Sequence, residues 1–269
     1  MGDPQPPLTR AGEVAGRWGL ALGEPYPRGA AGYAVRAVRP DGTPAVLKLI
    51  DLHRESEHEA DALARWDGDG AVRLLDRTDD GTAVLIERCE PGTPLSAAGP
   101  ETALAVLIGL LPRLWVPAGP PFHTLADEAG WWVSYLADEW EASGRPFERR
   151  LVDAAVEALS ALAPTQGEQV LLHQDLHGDN VLAATREPWL AIDPKPLTGE
   201  REFAVAPIVR SFELGHSRGE VLGRFDRLTS ELGLDRERAR GWTIGQTVAW
   251  AVGGGPPEHV EAARWLLDS

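Results

Sequence analysis

The sequence predicts an α+β fold in which a small antiparallel sheet carrying one helix precedes a mostly helical region. Strand-like alternation of apolar residues dominates up to about residue 88, and helical periodicity dominates after it. The segment that follows the last predicted strand, RCEPGTPL (88–95), contains Pro and Gly residues that interrupt regular structure. We therefore expect two domains, residues 1–88 and residues 89–269.

The predicted sheet consists of two strand pairs. After a Pro-rich leader, YAVRAV (33–38) and AVLKLI (45–50) flank the turn sequence PDGT, which predicts a hairpin. The second pair is AVRLLD (71–76) and AVLIE (83–87), separated by the turn sequence TDDGT. With one helix between the two pairs, this order indicates an antiparallel sheet that carries a single helix.

The helix of the first domain is predicted over RESEHEADALARW (54–66), where apolar residues recur on one side. That stripe consists of Ala60, Leu63, Ala64 and Trp66. The second domain contains a non-helical interruption at about 170–200. Its remaining periodicity predicts helices over 101–115, 124–142, 148–163, 201–232, 235–252 and 256–267.

Composition excludes several classes of protein. The 269 residues are 43% hydrophobic and 25% charged, as in globular proteins rather than disordered or fibrous ones. The opening residues MGDPQPPLTRAGEV lack the apolar run of a signal sequence, and no apolar stretch is long enough to span a bilayer. We therefore expect a cytoplasmic protein with no membrane association. The single cysteine, Cys89, cannot form an internal disulfide and is expected to be a small buried residue.

The net charge of −15 argues against nucleic acid as a partner, because a phosphate backbone requires a basic surface. It favours a cationic small molecule, although acidity also serves solubility alone. Only two of the 26 basic residues are lysines, Lys48 and Lys195. A lysine kept in such an arginine-rich chain indicates a need for a compact, flexible ammonium group. No obligate protein partner is inferred.

The segment HQDLHGDN (173–180) carries the clearest chemical pattern. Asp175 and Asn180 are five residues apart between apolar flanks, and Asp193 follows at the end of the apolar strand WLAID. Phosphoryl transfer needs such a set, because one carboxylate orients the attacking hydroxyl while carboxylate and amide oxygens hold Mg²⁺ on the nucleotide phosphates. The three side chains are therefore candidates for the active site of a kinase.

A metalloenzyme is an alternative interpretation of the same segment, with His173, His177 and Asp175 as ligands. The two histidines have the spacing of four residues that places metal ligands on one side of a helix. No glutamate base lies between them, however, and Gly178 weakens a continuous helix. We therefore consider the metalloenzyme the weaker hypothesis.

The string LLHQDLHGDNVL, followed by AIDPKPLTGE, resembles the catalytic and metal-binding loops of the aminoglycoside phosphotransferase family, which has a two-lobed protein-kinase-like fold. The DPK sequence is similar to the branch that acts on streptomycin-like compounds and hydroxyurea. The resemblance covers about residues 30–215 and is strongest over 171–199. It implies transfer of the γ-phosphoryl group of ATP, or of GTP, to a hydroxyl of an aminoglycoside such as streptomycin, with Mg²⁺ as cofactor.

The resemblance also implies roles for individual residues of these loops. Asp175 matches the catalytic base, Asn180 the first metal ligand and Asp193 the second. His173 matches a structural position of the loop. Lys195, two residues after Asp193, is a candidate contact to the transferred phosphate or to the substrate.

The first domain is the expected nucleotide-binding lobe. Lys48 matches the lysine that contacts the α- and β-phosphates, and its expected partner is Glu59, with Glu55 one turn earlier as the substitute. Gly29 and Gly32 lie where the fold covers the phosphates, although the fuller glycine pattern of protein kinases is absent.

The segment LIERCEPG (85–92) matches the hinge of the family, where backbone groups around Glu87 and Cys89 would hydrogen-bond the base. Because side chains matter little there, the sequence does not distinguish ATP from GTP.

Two positions depart from the pattern of the family. Gln174 stands where a glycine usually precedes the catalytic aspartate, and Ala204 stands where an aspartate usually braces the loop. The second departure puts the rigidity of the loop in question.

Two alternatives remain for the function. The acceptor could be hydroxyurea or another metabolite, such as choline or an amino acid, bound to the helical lobe. The chain could also be a catalytically silent nucleotide-binding module of the same fold, against which the presence of Asp175, Asn180, Asp193 and Lys48 counts.

Overall fold

The computed structural model describes residues 7–27 and 32–269. These residues form two compact units. One unit comprises the described residues through Thr93 together with Leu182–Lys195, and the other comprises Pro94–Val181 and Pro196–Ser269. The chain thus returns to the first unit after residue 181, a feature that the single expected boundary after residue 88 does not include.

The first unit is built on an antiparallel five-stranded sheet with the strand order β1-β2-β3-β5-β4. The two predicted strand pairs and the predicted helix are present, and a helix and a strand precede them. In chain order the elements are α1 (Pro7–Trp18), β1 (Ala21–Pro25), β2 (Tyr33–Val38), β3 (Pro44–Leu49), α2 (Glu59–Trp66), β4 (Leu74–Arg77) and β5 (Ala83–Glu87).

Helix α1 lies in the segment that the sequence analysis treated only as a leader. Its buried residues, Ala11, Val14 and Ala15, belong to the same hydrophobic cluster as Val35 and Leu47 of the sheet. These side chains are mostly short, so the apolar stripe is easily missed in the sequence. Their burial gives the sheet its covered face.

Helix α2 begins at Glu59, five residues later than predicted. Ala60, Leu63 and Trp66 are buried as expected, but Ala64 is exposed and Ala62 is buried in its place. The prediction for Ala64 was wrong because the buried stripe follows the spacing i, i+3, i+4, i+7 from Glu59, which includes Ala62 and not Ala64.

The second unit begins with three long helices and two short strands, close to the predicted bounds. They are α3 (Pro100–Leu114), β6 (His123–Thr124), α4 (Leu125–Ala142), α5 (Arg149–Leu162) and β7 (Val170–Leu172). Next along the chain, β8 (Val181–Ala183) pairs with β9 (Trp189–Ala191). The segment containing β9 is part of the first unit, within which backbone hydrogen bonds join Ala191 to residues 70 and 72.

The remainder of the second unit contains one strand and four helices. They are β10 (Leu197–Gly199), α6 (Ala206–Arg210), α7 (Arg218–Glu231), α8 (Arg236–Ala251) and α9 (Pro257–Leu267). Strand β10 lies between β6 and β7 in a three-stranded sheet. Three buried aromatic rings pack together in this unit. The ring of Phe203 lies between those of Trp132 and Trp242, with centroid distances of 6.1 Å and 5.8 Å respectively.

The predicted helix over 201–232 was wrong in its continuity. A 3₁₀ helix at Arg201–Val205 leads into α6, and a second one at Phe212–Leu214 follows it. Gly215, with φ of +95°, turns the chain, and the side chain of Ser217 caps the start of α7. These breaks separate α6 from α7, so residues 211–217 lie outside any α-helix.

Among the described residues, none of the helices combines the length and apolar character that crossing a bilayer requires.

Candidate functional site

Lys48 lies in a buried ion-pair cluster of the first unit. Its ammonium nitrogen is 2.8 and 2.7 Å from Oε1 and Oε2 of Glu59, and 2.9 Å from Oδ1 of Asp193. Lys48 is only 5% exposed and Glu59 only 3%. Three N–H donors of the ammonium therefore face three carboxylate oxygens.

Strand β3, helix α2 and the residues just after β9 bring these three side chains together. Lys48 lies on the central strand β3 opposite Ala34 and Val84, and Glu59 is the first residue of α2. Asp193 follows β9 with a φ of +55°, a left-handed conformation that aspartate adopts more readily than most residues. Of the two glutamates proposed for Lys48, the structure pairs it with Glu59. Glu55 instead lies 3.6 Å from Lys195.

The charges of this cluster favour a protonated Lys48. Burial alone would lower the pKa of Lys48, but the negative charges of Glu59 and Asp193 outweigh it and raise that pKa. Burial raises the pKa of Glu59, the Lys48 ammonium opposes this, and the charge of Asp193 adds to it. The carboxyl groups of Glu59 and Asp193 thus share the single ammonium group of Lys48.

A cavity of about 470 Å³ opens beside Lys48 and Asp193. This volume is within the range of small-molecule sites, about 300 to 1,000 Å³. Its apolar lining comes from strands and from the returning segment, and comprises Ala34, Val46, Ile86, Leu182 and Ile192. An apolar slot that ends at an ammonium group and a carboxylate suits a planar base linked to phosphates.

Gly32 borders this cavity at a position where the backbone approaches β3 closely. Its φ is +111°, and a Cβ atom there would lie 2.6 Å from the carbonyl oxygen of Leu49. Only glycine fits such a position without a shift of the strand. Gly29, the other glycine named from the sequence, lies outside the described residues.

The segment around Glu87 and Cys89 also lines the cavity. The Glu87 N–H already donates to the carbonyl oxygen of Arg73, 2.9 Å away, and its carboxylate binds the guanidinium of Arg186. Burial raises the pKa of the Cys89 thiol to about 12, so this thiol remains protonated at neutral pH. Arg186 therefore ties the returning segment to this edge of the sheet.

In the second unit the segment HQDLHGDN forms a compact loop after β7. The Asp175 N–H donates to the carbonyl oxygen of His173 (2.8 Å), and Nδ2 of Asn180 donates to the carbonyl oxygen of Asp175 (2.9 Å). Gly178 packs closely against Ser96, because a Cβ atom added to Gly178 would lie 3.1 Å from the backbone of Ser96. The loop is thus fixed by its own backbone and by close packing.

Asp175 lines a second cavity, of about 200 Å³, within this unit. The other lining residues include two carboxylates, a guanidinium and two aromatic rings, namely Asp179, Glu213, Arg210, Phe212 and Trp250. Sequence reasoning missed Arg210, Phe212 and Glu213, because the periodicity of 201–232 predicted one continuous helix with no break at these residues. No local motif marks them.

His177 joins Asp175 to Glu213 at the edge of this cavity. Its Nε2 lies 4.0 Å from Oδ1 of Asp175, and its Nδ1 lies 3.4 Å from Oε1 of Glu213. Burial alone would lower the pKa of His177, but the Glu213 hydrogen bond and nearby carboxylates raise it. Although burial opposes it, the bond to His177 lowers the pKa of Glu213 to about 2.

The metalloenzyme alternative has no support in this geometry. Within residues 7–27 and 32–269, no group of ligand atoms close enough to hold one metal ion includes His173, His177 and Asp175 together. His173 is buried, at 3% exposure.

The donor atoms of Asn180 and Asp193 are those that Mg²⁺ prefers. Nδ2 of Asn180 donates within the loop, so its amide oxygen is the atom suited to a metal ion, and Asp193 is a carboxylate that is 27% exposed. Hard oxygen ligands of this kind fit Mg²⁺ rather than a softer metal.

Comparison with known proteins identifies the family. Residues 17–254 match the model of a family described as aminoglycoside/hydroxyurea antibiotic resistance kinase. The chain belongs to this family. It is 42% identical to a hydroxyurea phosphotransferase of Kitasatospora aureofaciens over 96% of this chain and 78% of that protein. It is 39% identical to a streptomycin 6-kinase of Streptomyces griseus, over 93% of this chain and 86% of that one.

Solved structures show that the fold is that of protein-kinase-like phosphotransferases. The aminoglycoside phosphotransferase APH(4)-Ia, in a ternary complex with ADP and hygromycin B, matches with a TM-score of 0.60 and 16% identity, covering 96% of this chain and 95% of that one. The choline kinase LicA of Streptococcus pneumoniae matches with a TM-score of 0.65 and 13% identity, covering 97% and 99%. The α+β kinase-like fold predicted from the sequence is confirmed.

Proposed function

We propose that this chain transfers the γ-phosphoryl group of ATP to a hydroxyl group of a streptomycin-like aminoglycoside. The observation that carries the proposal is the buried cluster of Lys48, Glu59 and Asp193 beside a cavity of about 470 Å³. Phosphoryl transfer depends on positioning and on charge stabilisation, and an ammonium group held by a glutamate supplies both to nucleotide phosphates. The same residues count against a catalytically silent binding module.

Asp175 is the proposed base, and Asn180 and Asp193 are the proposed metal ligands. A carboxylate at position 175 orients the acceptor hydroxyl and accepts its proton as the hydroxyl oxygen bonds to the γ-phosphorus and the bond from that phosphorus to the ADP oxygen breaks. Asn180 and Asp193 each offer a hard oxygen to Mg²⁺. When bound, Mg²⁺ neutralises negative charge on the phosphates.

The surroundings of Asp175 support a cationic acceptor. Asp175, Asp179 and Glu213 line the same cavity, and the Phe212 side chain beside them is 51% exposed. Carboxylates attract guanidinium and ammonium groups, and an aromatic face adds cation–π attraction. The streptomycin 6-kinase relatives, 39% identical in two organisms, support the same acceptor class.

Hydroxyurea is the second candidate acceptor, favoured by the relative that is 42% identical. It is small and neutral. A cavity of about 200 Å³ is below the usual range for drug-sized ligands, about 300 to 1,000 Å³, and would readily admit so small a molecule.

A transfer assay tests the proposal. The purified chain is given ATP or GTP with Mg²⁺ and one of three acceptors (streptomycin, hydroxyurea or choline), and phosphorylated product is detected by mass spectrometry. We expect streptomycin to be phosphorylated with ATP as donor. Product from hydroxyurea alone would establish the second candidate, and the absence of product with every acceptor would refute the proposed activity.

A variant of Asp175 tests its role in the same assay. Asp175→Asn is expected to lower kcat by about 10² to 10⁴, the usual contribution of a positioned base, without changing the melting temperature greatly. Asp153→Asn is the matched control, because that carboxylate is 61% exposed on α5, where it pairs with Arg149. Equal turnover by the two variants would remove Asp175 from the mechanism.

A further inference from the structure

Gln246 is a wholly buried amide whose two ends are both hydrogen-bonded. Its Oε1 accepts from Nη1 of Arg210 at 2.6 Å, and its Nε2 donates to the carbonyl oxygen of Gln174 at 3.1 Å. A buried amide is costly unless such partners satisfy it. Both bonds lead from α8 towards the loop that contains Asp175.

Arg210 continues this chain of contacts to the Asp175 carboxylate. It is the last residue of α6, is 3% exposed, and places its guanidinium over the Trp250 ring, 4.4 Å from the centroid. Its Nη2 lies 4.0 Å from Oδ1 of Asp175. A planar guanidinium can contact Gln246, the ring and the carboxylate together, which a lysine ammonium cannot.

The Gln174 carbonyl belongs to the peptide group that carries the Asp175 amide. Gln174 has a φ of +63°, a conformation that costs free energy in a residue with a side chain. A hydrogen bond to its carbonyl from the core therefore holds this peptide group in an orientation that the chain alone does not favour.

We propose that Gln246 and Arg210 are positioning residues for Asp175, with Gln246 fixing its backbone and Arg210 fixing its carboxylate. This proposal rests on the proposed function, in which Asp175 is the base. Proton transfer is sensitive to the placement of the base, and a displacement of about 1 Å can lower the rate by about 10². Neither residue needs to touch a substrate for this effect.

Variants of Gln246 test the first half of the proposal. Gln246→Met removes both hydrogen bonds, and Gln246→Glu keeps an acceptor for Arg210 but cannot donate to Gln174. We expect both to lower kcat by about 10-fold to 100-fold, with KM for ATP and for streptomycin changed less than about threefold. Thr243→Val is the matched control, because Thr243 is equally buried on α8 and its hydroxyl donates to the Ala239 carbonyl of its own helix.

Arg210→Met tests the second half through a readout that a merely structural residue would not move. Loss of a positive charge 4.0 Å from Asp175 favours the protonated carboxyl group. The acidic limb of the kcat/KM profile should therefore move to higher pH. The double variant Arg210→Met/Gln246→Met should lose little more than Arg210→Met alone, because both changes disrupt one network.

The outcomes separate this proposal from the proposed function. If the parental protein phosphorylates no acceptor, the proposed function fails, and amide hydrogen exchange of residues 171–181 in the ligand-free protein then decides the positioning role. Exchange there should rise about 10-fold or more in Gln246→Met and remain unchanged in Thr243→Val. Unchanged exchange, kcat equal to that of Thr243→Val, or an unmoved acidic limb in Arg210→Met would overturn the proposal.

Discussion

At the scale of single residues, Lys48 shows why an arginine-rich chain retains a lysine. Three carboxylate oxygens lie within 2.9 Å of one nitrogen in a site that is 5% exposed. The ammonium has three N–H donors around a single atom, whereas a guanidinium spreads its donors over a plane. The site therefore accepts the compact group and excludes the wider one.

Lys48→Arg should consequently be damaging although it preserves the charge. We expect nucleotide KM to rise and kcat to fall, each by about 10-fold or more, because the guanidinium cannot keep the contacts to Glu59 and Asp193 together. Steady-state kinetics with ATP as the varied substrate measures both. The same change at Lys195, which is 30% exposed and 3.6 Å from its Glu55 partner, should cost less. Unaltered kinetics in Lys48→Arg would contradict the role of this cluster.

The His177–Glu213 pair gives the stability of the protein a particular pH dependence. Because its folded pKa is raised above 6.5, His177 contributes stability that is complete below pH 6.5 and is lost as pH rises through that folded value. Because its folded pKa is lowered from 4.5 to about 2, Glu213 contributes stability that is present above pH 4.5 and lost as pH falls towards 2. Both residues therefore contribute their full stability between about pH 4.5 and 6.5.

His177→Gln should therefore destabilise the protein more at pH 5.5 than at pH 9. Urea unfolding of the parental protein and the variant at both values measures the difference in the free energy of unfolding. His259 provides an opposing control, since burial and the charge of Arg210 lower its pKa to about 4. Protonation of His259 favours the unfolded state, so this residue lowers the free energy of unfolding of the parental protein as pH falls below 6.5. His259→Gln should therefore reduce the free energy of unfolding less at pH 5.5 than at pH 9. A pH-independent effect of His177→Gln would refute the ion pair.

At the scale of elements, the loop that contains Asp175 carries one of the two departures from the pattern of its family, at Gln174. Gln174 occupies a left-handed backbone position, with φ of +63°, which explains why glycine is usual there. Its buried side chain has an Nε2 atom without a hydrogen-bond partner among the described residues. The loop tolerates these costs because hydrogen bonds within it and from Gln246 hold its backbone.

Replacing Gln174 by Gly and by Ala separates the backbone cost from the loss of the side chain. In an ordinary helix or strand, alanine is more stabilising than glycine by about 0.5 to 1 kcal/mol. At this position we expect the reverse, with Gln174→Gly more stable than Gln174→Ala by about 1 kcal/mol, because only glycine adopts positive φ without strain. Urea midpoints at equal slope measure the difference. Equal stability, or a more stable alanine variant, would show that the backbone there is unstrained.

The sequence predicted the long helices of the second unit because each has regular periodicity and a Pro or Gly near at least one end. The bounds of α3, α4, α5, α8 and α9 differ from the prediction by about one residue. Where short segments depend on tertiary packing, periodicity failed, as it did over 201–232 and in the α1 segment. Local pattern cannot specify a break that distant residues stabilise.

Parts of the candidate site were predictable for a similar reason. Lys48 at a strand end and Glu59 on the next helix are close in sequence, so their pairing follows from local order. Arg210 and Gln246 are 35 and 71 residues from Asp175 in the sequence, and only the packed second unit brings them near the loop. No spacing rule connects residues so far apart.

At the scale of the whole molecule, the net charge of −15 makes the proposed acceptors distinguishable. A multiply charged cation such as streptomycin is attracted by an acidic protein over a distance set by the Debye length, about 30 Å at 0.01 M salt and about 8 Å at 0.15 M. Hydroxyurea is neutral and should not respond to this attraction.

We therefore expect kcat/KM for streptomycin to fall as ionic strength rises from about 0.01 M to 0.15 M, and kcat/KM for hydroxyurea to stay nearly constant. Saturating ATP and Mg²⁺ removes the effect of salt on their own binding, and hydroxyurea serves as the internal control for any effect on folding. Carboxylates near Asp175 add to the attraction, so Asp179→Asn should reduce the salt sensitivity with streptomycin only. Salt-independent turnover of streptomycin would show that the acidity of the chain serves solubility and does not recruit the acceptor.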